Sequence, residues 1–540
     1  MLILLCGGGG ASSAILPELR AALEADPLIA SAQPMFASPE TDSLWAPWDD
    51  ECDAVIGRGA LLGLPRRIRT MECVSACILV RPGLLTDVVH ADDMARWSSL
   101  PGAVWFLLSR ARRRGLRNAC CTRAIVVTQA SRLELYPQPT GQDIQAVLSI
   151  EPLHERFRKE DRNMPWARLA PLLGMIPAGA GGKPSLLLDC RGLAAMHNGT
   201  SRNIMGQLQG FAERGGAWDI EVLSTEEASD FHRLAERFPM LSRISELPQR
   251  GYTGAFLLSQ PWDWQVFTDL HRRALVIGFN MLDTIAWDIG YAAPPELTDI
   301  WRVAARHADV LTYISHFSRE RFQERFFRPA HLPDAVVHLS LDGAEYIEPE
   351  WRAQETGDHV LLFGNHYDHK GIAPVLGLLS RAFPNQSIVV IGGARIRSRN
   401  VRSIPSGSLT DCDIHALLSS ARVVIYPSFY EGFGLPAVEG LSYGRPVLVR
   451  ESPLWEEIAA HSRLPGDLVS FRDDRELIDK LGRLLVGLHV TPLAKAGALA
   501  GGPAPNWASG AERTLAVFER AMDGAAERWL DRDIVLSGRK

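Results

Sequence analysis

Glu431 and Glu439 stand eight residues apart in the stretch Tyr426-Pro-Ser-Phe-Tyr-Glu-Gly-Phe-Gly-Leu-Pro-Ala-Val-Glu-Gly-Leu-Ser-Tyr-Gly-Arg-Pro446. The apolar run Val423–Tyr426 reads as a buried strand, Gly432 and Gly434 make a turn, and a helix begins near Pro436. A strand, glycine turn and helix in succession present free backbone N–H groups at a positive helix end, a ready site for an anion such as a diphosphate. Glycines there let a ligand approach the backbone closely. Carboxylates accept hydrogen bonds from hydroxyls and repel phosphate unless held apart from it, so Glu431 and Glu439 suit different hydroxyls of one extended ligand. A second element, Gly364-Asn365-His-Tyr-Asp-His369-Lys370, follows the apolar run Val360–Phe363, and Lys370 brings a compact positive charge suited to a diphosphate. The plain alternatives are solvated glutamates at a helix end and a surface lysine.

These residues need a scaffold, and the sequence supplies one. From Leu186 onward short β-type runs alternate with helical patterns, which predicts βαβ units on parallel sheets. One series comprises Leu186–Leu188, Ile220–Leu223, Ala255–Leu258, Leu275–Ile277 and Val310–Tyr313; a second comprises Val360–Phe363, Ser387–Ile391, Val423–Tyr426 and Val447–Val449. Two such series imply two Rossmann-like domains facing each other across a cleft at the carboxyl ends of their strands. The Gly/Pro-rich stretch 176–184 reads as a flexible linker from a different N-terminal module. Trp507–Trp529 reads as one amphipathic helix. The resulting division is 1–150 for the N-terminal module, 151–184 linker, 185–345 and 346–505 for the two Rossmann-like domains, and 506–540 for a helix returning to the first of them.

The bulk numbers agree with that picture. At 540 residues the chain exceeds one core and predicts roughly two to four domains. A net charge of -6 argues against a nucleic-acid partner, although Arg110, Arg112, Arg113, Arg114 and Arg117 form a local basic face. Eight cysteines without Cys-x2-Cys pairs predict reduced thiols in a cytosolic protein, with neither a disulfide framework nor a zinc motif. The apolar Met1–Cys6 run stops at glycines, short of a signal peptide's core, and no stretch approaches the ~20 apolar residues of a spanning helix. Membrane association is therefore expected to be peripheral.

The Glu431–Glu439 stretch resembles the Glu-x7-Glu signature of glycosyltransferase family 4, with its Glu-Gly-Phe-Gly-Leu-Pro core intact. The resemblance covers about 340 residues and implies an α/β architecture, the GT-B fold of two Rossmann-like domains. It implies that Glu431 binds hydroxyls of a donor sugar and Glu439 the ribose of a nucleotide, with the amides of Phe433, Gly434 and Leu435 facing sugar and phosphates. Gly364 and Lys370 match the family's donor-phosphate loop, but Asn365 stands where an arginine is expected, leaving His369, Arg395 or Arg397 as substitutes. Asp189–Arg202 resembles the family's N-terminal loop, with Gly199 near the donor phosphate and Thr200 and Arg202 on the acceptor side. Asp283 occupies the place of a His-Asp pair whose histidine is replaced by Leu282; its plain alternative is a structural cap. Tyr313–Arg319 and Val337–Asp342 look like further landmarks. The implied chemistry is retaining transfer from a nucleoside-diphosphate sugar to a glycan or lipid-linked acceptor in surface polysaccharide synthesis. The resemblance implies that no metal and no cofactor take part. Glu431, Lys370 and Asp283 are its catalytic candidates.

Residues 1 to about 135 resemble the second half of a family 2 (GT-A-like) glycosyltransferase. The metal-binding aspartate place is Gly8 within Gly7–Gly10, which offers no ligand side chain. An acidic pair before a late helix is replaced around Leu100–Val104. The expectation is a degenerate module without catalysis of its own, serving homo-oligomer or complex assembly. Two rival functions stay open at this point: a non-catalytic scaffold, and a sugar-nucleotide epimerase on the same fold.

Overall fold

The computed structural model describes residues 2–4, 15–40, 43–45, 55–70, 74–81, 83, 97–150, 166–179, 182–290, 293–345, 357–365, 367–392, 396–405, 408–495 and 503–538. Two of its three sheets follow one plan. In the first, the strands lie from edge to edge as Ser242–Ile244, Asp219–Leu223, Ser185–Asp189, Tyr252–Leu257, Ala274–Met281, Val310–Tyr313 and Asp334–Val336, each parallel to its neighbours. In the second they lie as Val401–Ile404, Ser387–Ile391, His359–Phe363, Val423–Tyr426, Val447–Arg450 and Leu468–Phe471, again all parallel. Counted in chain order within each sheet, both run 3-2-1-4-5-6, the first with one strand more. This is the doubly wound Rossmann order, whose ligand crevice opens where the winding reverses, between strands 1 and 4. The GT-B arrangement of two Rossmann-like α/β halves is thus present.

Every strand read from the sequence in these two sheets is present, and three of them, Val310–Tyr313, Ser387–Ile391 and Val423–Tyr426, have the same ends. Ser185–Asp189, Tyr252–Leu257 and Ala274–Met281 are buried along their whole length, which is why they read as continuous apolar runs. The four strands not foreseen are all at sheet edges. Ser242–Ile244 and Val401–Ile404 among them are largely exposed and polar.

The N-terminal sheet is mixed. Ile29–Ala37 runs parallel to Arg117–Val127 and antiparallel to Cys77–Val80 and Ser43–Trp45, with helices Ile15–Ala25 and Leu100–Arg113 alongside. The Gly7–Gly10 run lies outside the described residues. At the start of Leu100–Arg113 a carboxylate is present after all, but a distant one. Asp143 is fully buried and accepts from the Ser98, Ser99 and Thr140 hydroxyls and the Ser98 and Thr140 amides, bonds that hold it far below the usual carboxylate range against the opposing effect of burial. It is spent on structure.

Within the expected linker, Trp166–Met175 is helical. Its Leu169, Leu172 and Leu173, with Ile176, are buried in one core together with Met35, Leu44 and Ile56 of the N-terminal sheet and Leu186 and Leu188 of the first Rossmann-like sheet. At the other end, the single helix expected over Trp507–Trp529 is two, Trp507–Ala521 and Ala525–Ser537. The amphipathic pattern runs across the break, but Gly524 adopts φ 68°, which ends one helix and re-aims the chain. Trp507–Ala521 packs on the helix Gly199–Arg214. The second helix buries Arg532, whose Nη1 lies 2.7 Å from Oδ2 of the fully buried Asp309.

Candidate functional site

In the second domain the two crevice-lining strands, His359–Phe363 and Val423–Tyr426, pair side by side. The loop after the first carries Lys370 in a short 3-10 turn, Asp368–Lys370. The loop after the other carries Glu431 and leads into helix Leu435–Ser442. Gly434 precedes that helix at φ 82°, and a Cβ there would sit 2.3 Å from the Trp455 ring. No side chain caps the helix start. The amides of its first turn therefore have no local side-chain acceptor. The two loops are tied to each other, with the Phe429 N–H donating to the His369 carbonyl at 2.8 Å.

Lys370 Nζ lies 2.5 Å from Glu431 Oε1 and 3.4 Å from the Tyr426 hydroxyl. Both charged side chains are nearly enclosed, at 13% and 9% exposure. Burial drives the Tyr426 hydroxyl well above its ordinary value, with Glu431 and Glu439 adding to the effect, so it stays a neutral donor. His369 is held below its usual value by burial and then by Lys370.

The first domain contributes from the opposite side. Asn198 caps helix Gly199–Arg214 by accepting from the Ser201 N–H at 2.8 Å, and Arg202 on that helix reaches across to place Nε 3.0 Å from Glu439 Oε1. Asp283 accepts from the Ile285 N–H at 2.9 Å. Burial pushes its carboxyl up to about 6; that amide and Lys370 oppose the shift, while Glu431 and Asp288 reinforce it. The loop around Glu431 is docked onto this domain through backbone and side chain. Ser315 and Ser318 hydroxyls donate to the Gly432 carbonyl at 2.8 and 3.2 Å. The Tyr430 hydroxyl donates to Asp288 Oδ2 at 2.9 Å, and Arg325 Nε donates to the other oxygen of Asp288 at 2.5 Å.

Between these groups lies a cavity of about 1500 Å³. Gly199, Thr200, Arg202, Asp283, Gly364, Asn365, His369, Lys370, Glu431, Phe433, Gly434, Leu435 and Glu439 all line it, so one space gathers the catalytic, donor-side and acceptor-side candidates read from the sequence, Arg395 and Arg397 apart. The partners of three differ from expectation. Lys370 bonds Glu431 instead of facing a phosphate alone, and Glu439 meets Arg202, because charges in a part-buried cleft seek an opposite charge. Asn365 shapes its loop by accepting from the Tyr367 N–H at 3.1 Å. Of the proposed substitutes for the missing arginine, His369 lines the cavity, Arg397 is exposed and does not, and Arg395 lies outside the described residues.

Other lining residues carried no motif and were missed. Gln260 accepts from the Leu282 and Asp283 N–H groups and so sets the Asp283 loop. The Asn203 side-chain amide nitrogen is buried at the cavity wall and makes no hydrogen bond among the described residues, leaving a donor for a ligand oxygen. Phe231 and Trp262, 45% and 39% exposed, give the first-domain wall an apolar, aromatic face.

Residues 345–487 match the family model of glycosyl transferases group 1. The matched segment contains Gly364, Lys370, Glu431 and Glu439, that is, the second-domain wall of the cavity. The chain is 36% identical over 118 residues to an MMP alpha-(1->4)-mannosyltransferase of Mycolicibacterium hassiacum, covering 22% of this chain and 29% of that protein. It is 32% identical over 161 residues to the O-antigen chain mannosyltransferase RfbU of Salmonella typhimurium, covering 27% and 44%. It thus spans less than half the length of either relative. Among solved structures, Anabaena Alr3699/HepE in complex with UDP and glucose aligns with 66% of this chain and 100% of its own, at 15% identity and a TM-score of 0.42.

Proposed function

We propose that the protein is a glycosyltransferase of the family 4 kind, moving a hexose from a nucleoside-diphosphate sugar to a glycan or lipid-linked acceptor of a surface polysaccharide. Transfer proceeds with retention and without a metal, at the cytoplasmic face of a membrane that the protein meets peripherally. Among the described residues no helix is long and apolar enough to cross one.

The observation that carries this reading is the Lys370–Glu431 pair at the mouth of the second domain's crevice, facing Asp283 across the cavity. A diphosphate entering there takes the Lys370 charge and the uncapped amides of helix Leu435–Ser442, which offsets the charge that grows on it as it departs. Glu431, released from Lys370, accepts hydroxyls of the sugar and stabilises a cationic anomeric centre. The acceptor lies against the first-domain wall, where Thr200 and Asn203 offer donors and Phe231 and Trp262 an aromatic face. Enclosure between two domains holds donor and acceptor together and limits hydrolysis. The relatives' names support a mannosyl donor, and the Asp283 carboxyl, half-ionised near pH 6, is placed to accept a proton or hold an acceptor hydroxyl.

A thermal-shift screen against GDP-, UDP- and dTDP-sugars tests donor binding, since a ligand at 100 times its dissociation constant stabilises the native state by about 2.7 kcal/mol. Nucleotide release that requires an acceptor is the expected activity. Interconversion of the free donor sugar with no acceptor present would replace the proposal by epimerase chemistry, and no donor binding would leave a scaffold.

A further inference from the structure

A second cluster of chemistry-bearing side chains lies where the two Rossmann-like domains meet, outside the cavity. His316 begins helix His316–Arg325 of the first domain, His338 follows that domain's last strand, and Glu457 sits on helix Pro453–His461 of the second. The ligand-capable atoms of these three side chains all lie within 4.8 Å of one another. From these positions we infer that His316, His338 and Glu457 form a binding site for a divalent transition metal of the zinc class that bridges the two domains.

The donor set suits such an ion. Two imidazoles and a carboxylate are standard zinc ligands at about 2.0–2.2 Å, so that two of them on one ion stand about 3.3 Å apart. His316 is the exposed member of the three, so its side chain has the most room to adjust toward that distance. The other two are already adjacent. His338 and Glu457 are 4% and 10% exposed, with His338 Nε2 2.6 Å from Glu457 Oε1. Binding replaces that hydrogen bond: Nε2 and Oε1 move apart from 2.6 Å to about 3.3 Å, and neutral His338 then carries its proton on Nδ1. Glu457 is held rigidly, because its two oxygens also accept from the His316 and Phe317 N–H groups at 2.6 and 3.0 Å. Support of this kind around a ligand is what metal sites use to fix orientation.

With three protein ligands, a water completes four-coordination, and a further histidine lies beside the site. The His461 ring centroid is 4.6 Å from that of His338, and its Nδ1 lies 2.9 Å from the Glu457 carbonyl. The ligands come from both domains, so occupancy fixes the angle between them. The sequence hid the site because its residues are 22 and 119 positions apart and share no local spacing.

The test uses the tag-free, chelator-stripped full-length protein titrated with Zn2+ by calorimetry and with Co2+ by visible absorption. The inference requires one ion per chain, a Co2+ spectrum of four-coordinate type, and affinity at least tenfold weaker in both His316→Ala and His338→Asn. His316 is exposed, so its variant keeps the fold even if the His338 variant does not. No saturable one-to-one binding, or binding that persists undiminished in His316→Ala, overturns it.

Discussion

A buried ion pair is a strong constraint on its members, and the Lys370–Glu431 pair separates what each residue does for the fold from what it does for chemistry. Removing one partner strands the other charge at a site where both are nearly enclosed. Glu431→Gln is therefore expected to cost about 3 kcal/mol in stability and at least ~100-fold in kcat. Pairing it with Lys370→Met should recover most of the stability and none of the activity. Denaturant midpoints beside turnover rates for the two single variants and the double variant check this; a double variant that turns over sugar would remove Glu431 and Lys370 from the mechanism. Asp283 gives a pH signature. Its carboxyl sits near 6 in the folded protein against an ordinary value of 3.8, so between those values the native state holds more protons than the unfolded one. Stability from this group is present below about pH 4 and is lost as pH rises through about 6. Asp283→Asn should flatten that decline, measured as unfolding free energy at half-unit steps from pH 4 to 7. An unchanged slope would show that Asp283 does not titrate there.

At the scale of elements, helix Leu435–Ser442 depends on a residue without a side chain at its start. Gly434 holds φ 82°, and an added Cβ would meet the Trp455 ring at 2.3 Å. Gly434→Ala thus combines a left-handed backbone penalty of about 1–2 kcal/mol with overpacking of about 1–3 kcal/mol. The expected loss is about 2–5 kcal/mol, with weakened nucleotide affinity because the helix start shifts; calorimetry with a nucleoside diphosphate and a urea melt read the two effects. The motif around this helix was legible in the sequence because glycine turns and carboxylates are local features. The inner strands were legible for a related reason, since burial on both faces leaves only apolar residue types along them. Edge strands such as Ser242–Ile244, half in solvent, carry no such signature. Nor do the partners: that Lys370 meets Glu431 and Arg202 meets Glu439 depends on how loops 61 and 237 residues apart face each other, which no local pattern states. The Gly524 break escaped notice because the apolar stripe continues past it in both helices.

At the scale of the molecule, the N-terminal sheet is built into the first Rossmann-like domain rather than tethered to it. Leu44 and Ile56 share a core with Leu169, Leu173, Leu186 and Leu188, and the Thr253 hydroxyl donates to the Gly59 carbonyl across the junction at 2.9 Å. The tightest approach is at Gly57, where an added Cβ would lie 1.7 Å from the Ile176 carbonyl oxygen. Gly57 has φ -66° and ψ 139°, angles open to any residue, so Gly57→Ala carries no backbone penalty and its effect comes from contact alone. The obstructing atom belongs to the main chain and cannot rotate away, which puts the cost at the upper end for overpacking, about 3 kcal/mol. The effect is confined to this junction and is best read locally, by hydrogen exchange. Protection should fall in Val55–Gly57 and in helix Trp166–Met175 while Val423–Tyr426 and Val447–Arg450 of the second domain keep theirs. Unchanged protection at Trp166–Met175 would mean that the N-terminal sheet and the first domain are held together elsewhere. Transfer activity should be largely kept, because the junction meets the start of strand Tyr252–Leu257 at Thr253, whereas Asp283 follows the opposite, carboxyl end of the parallel neighbour Ala274–Met281.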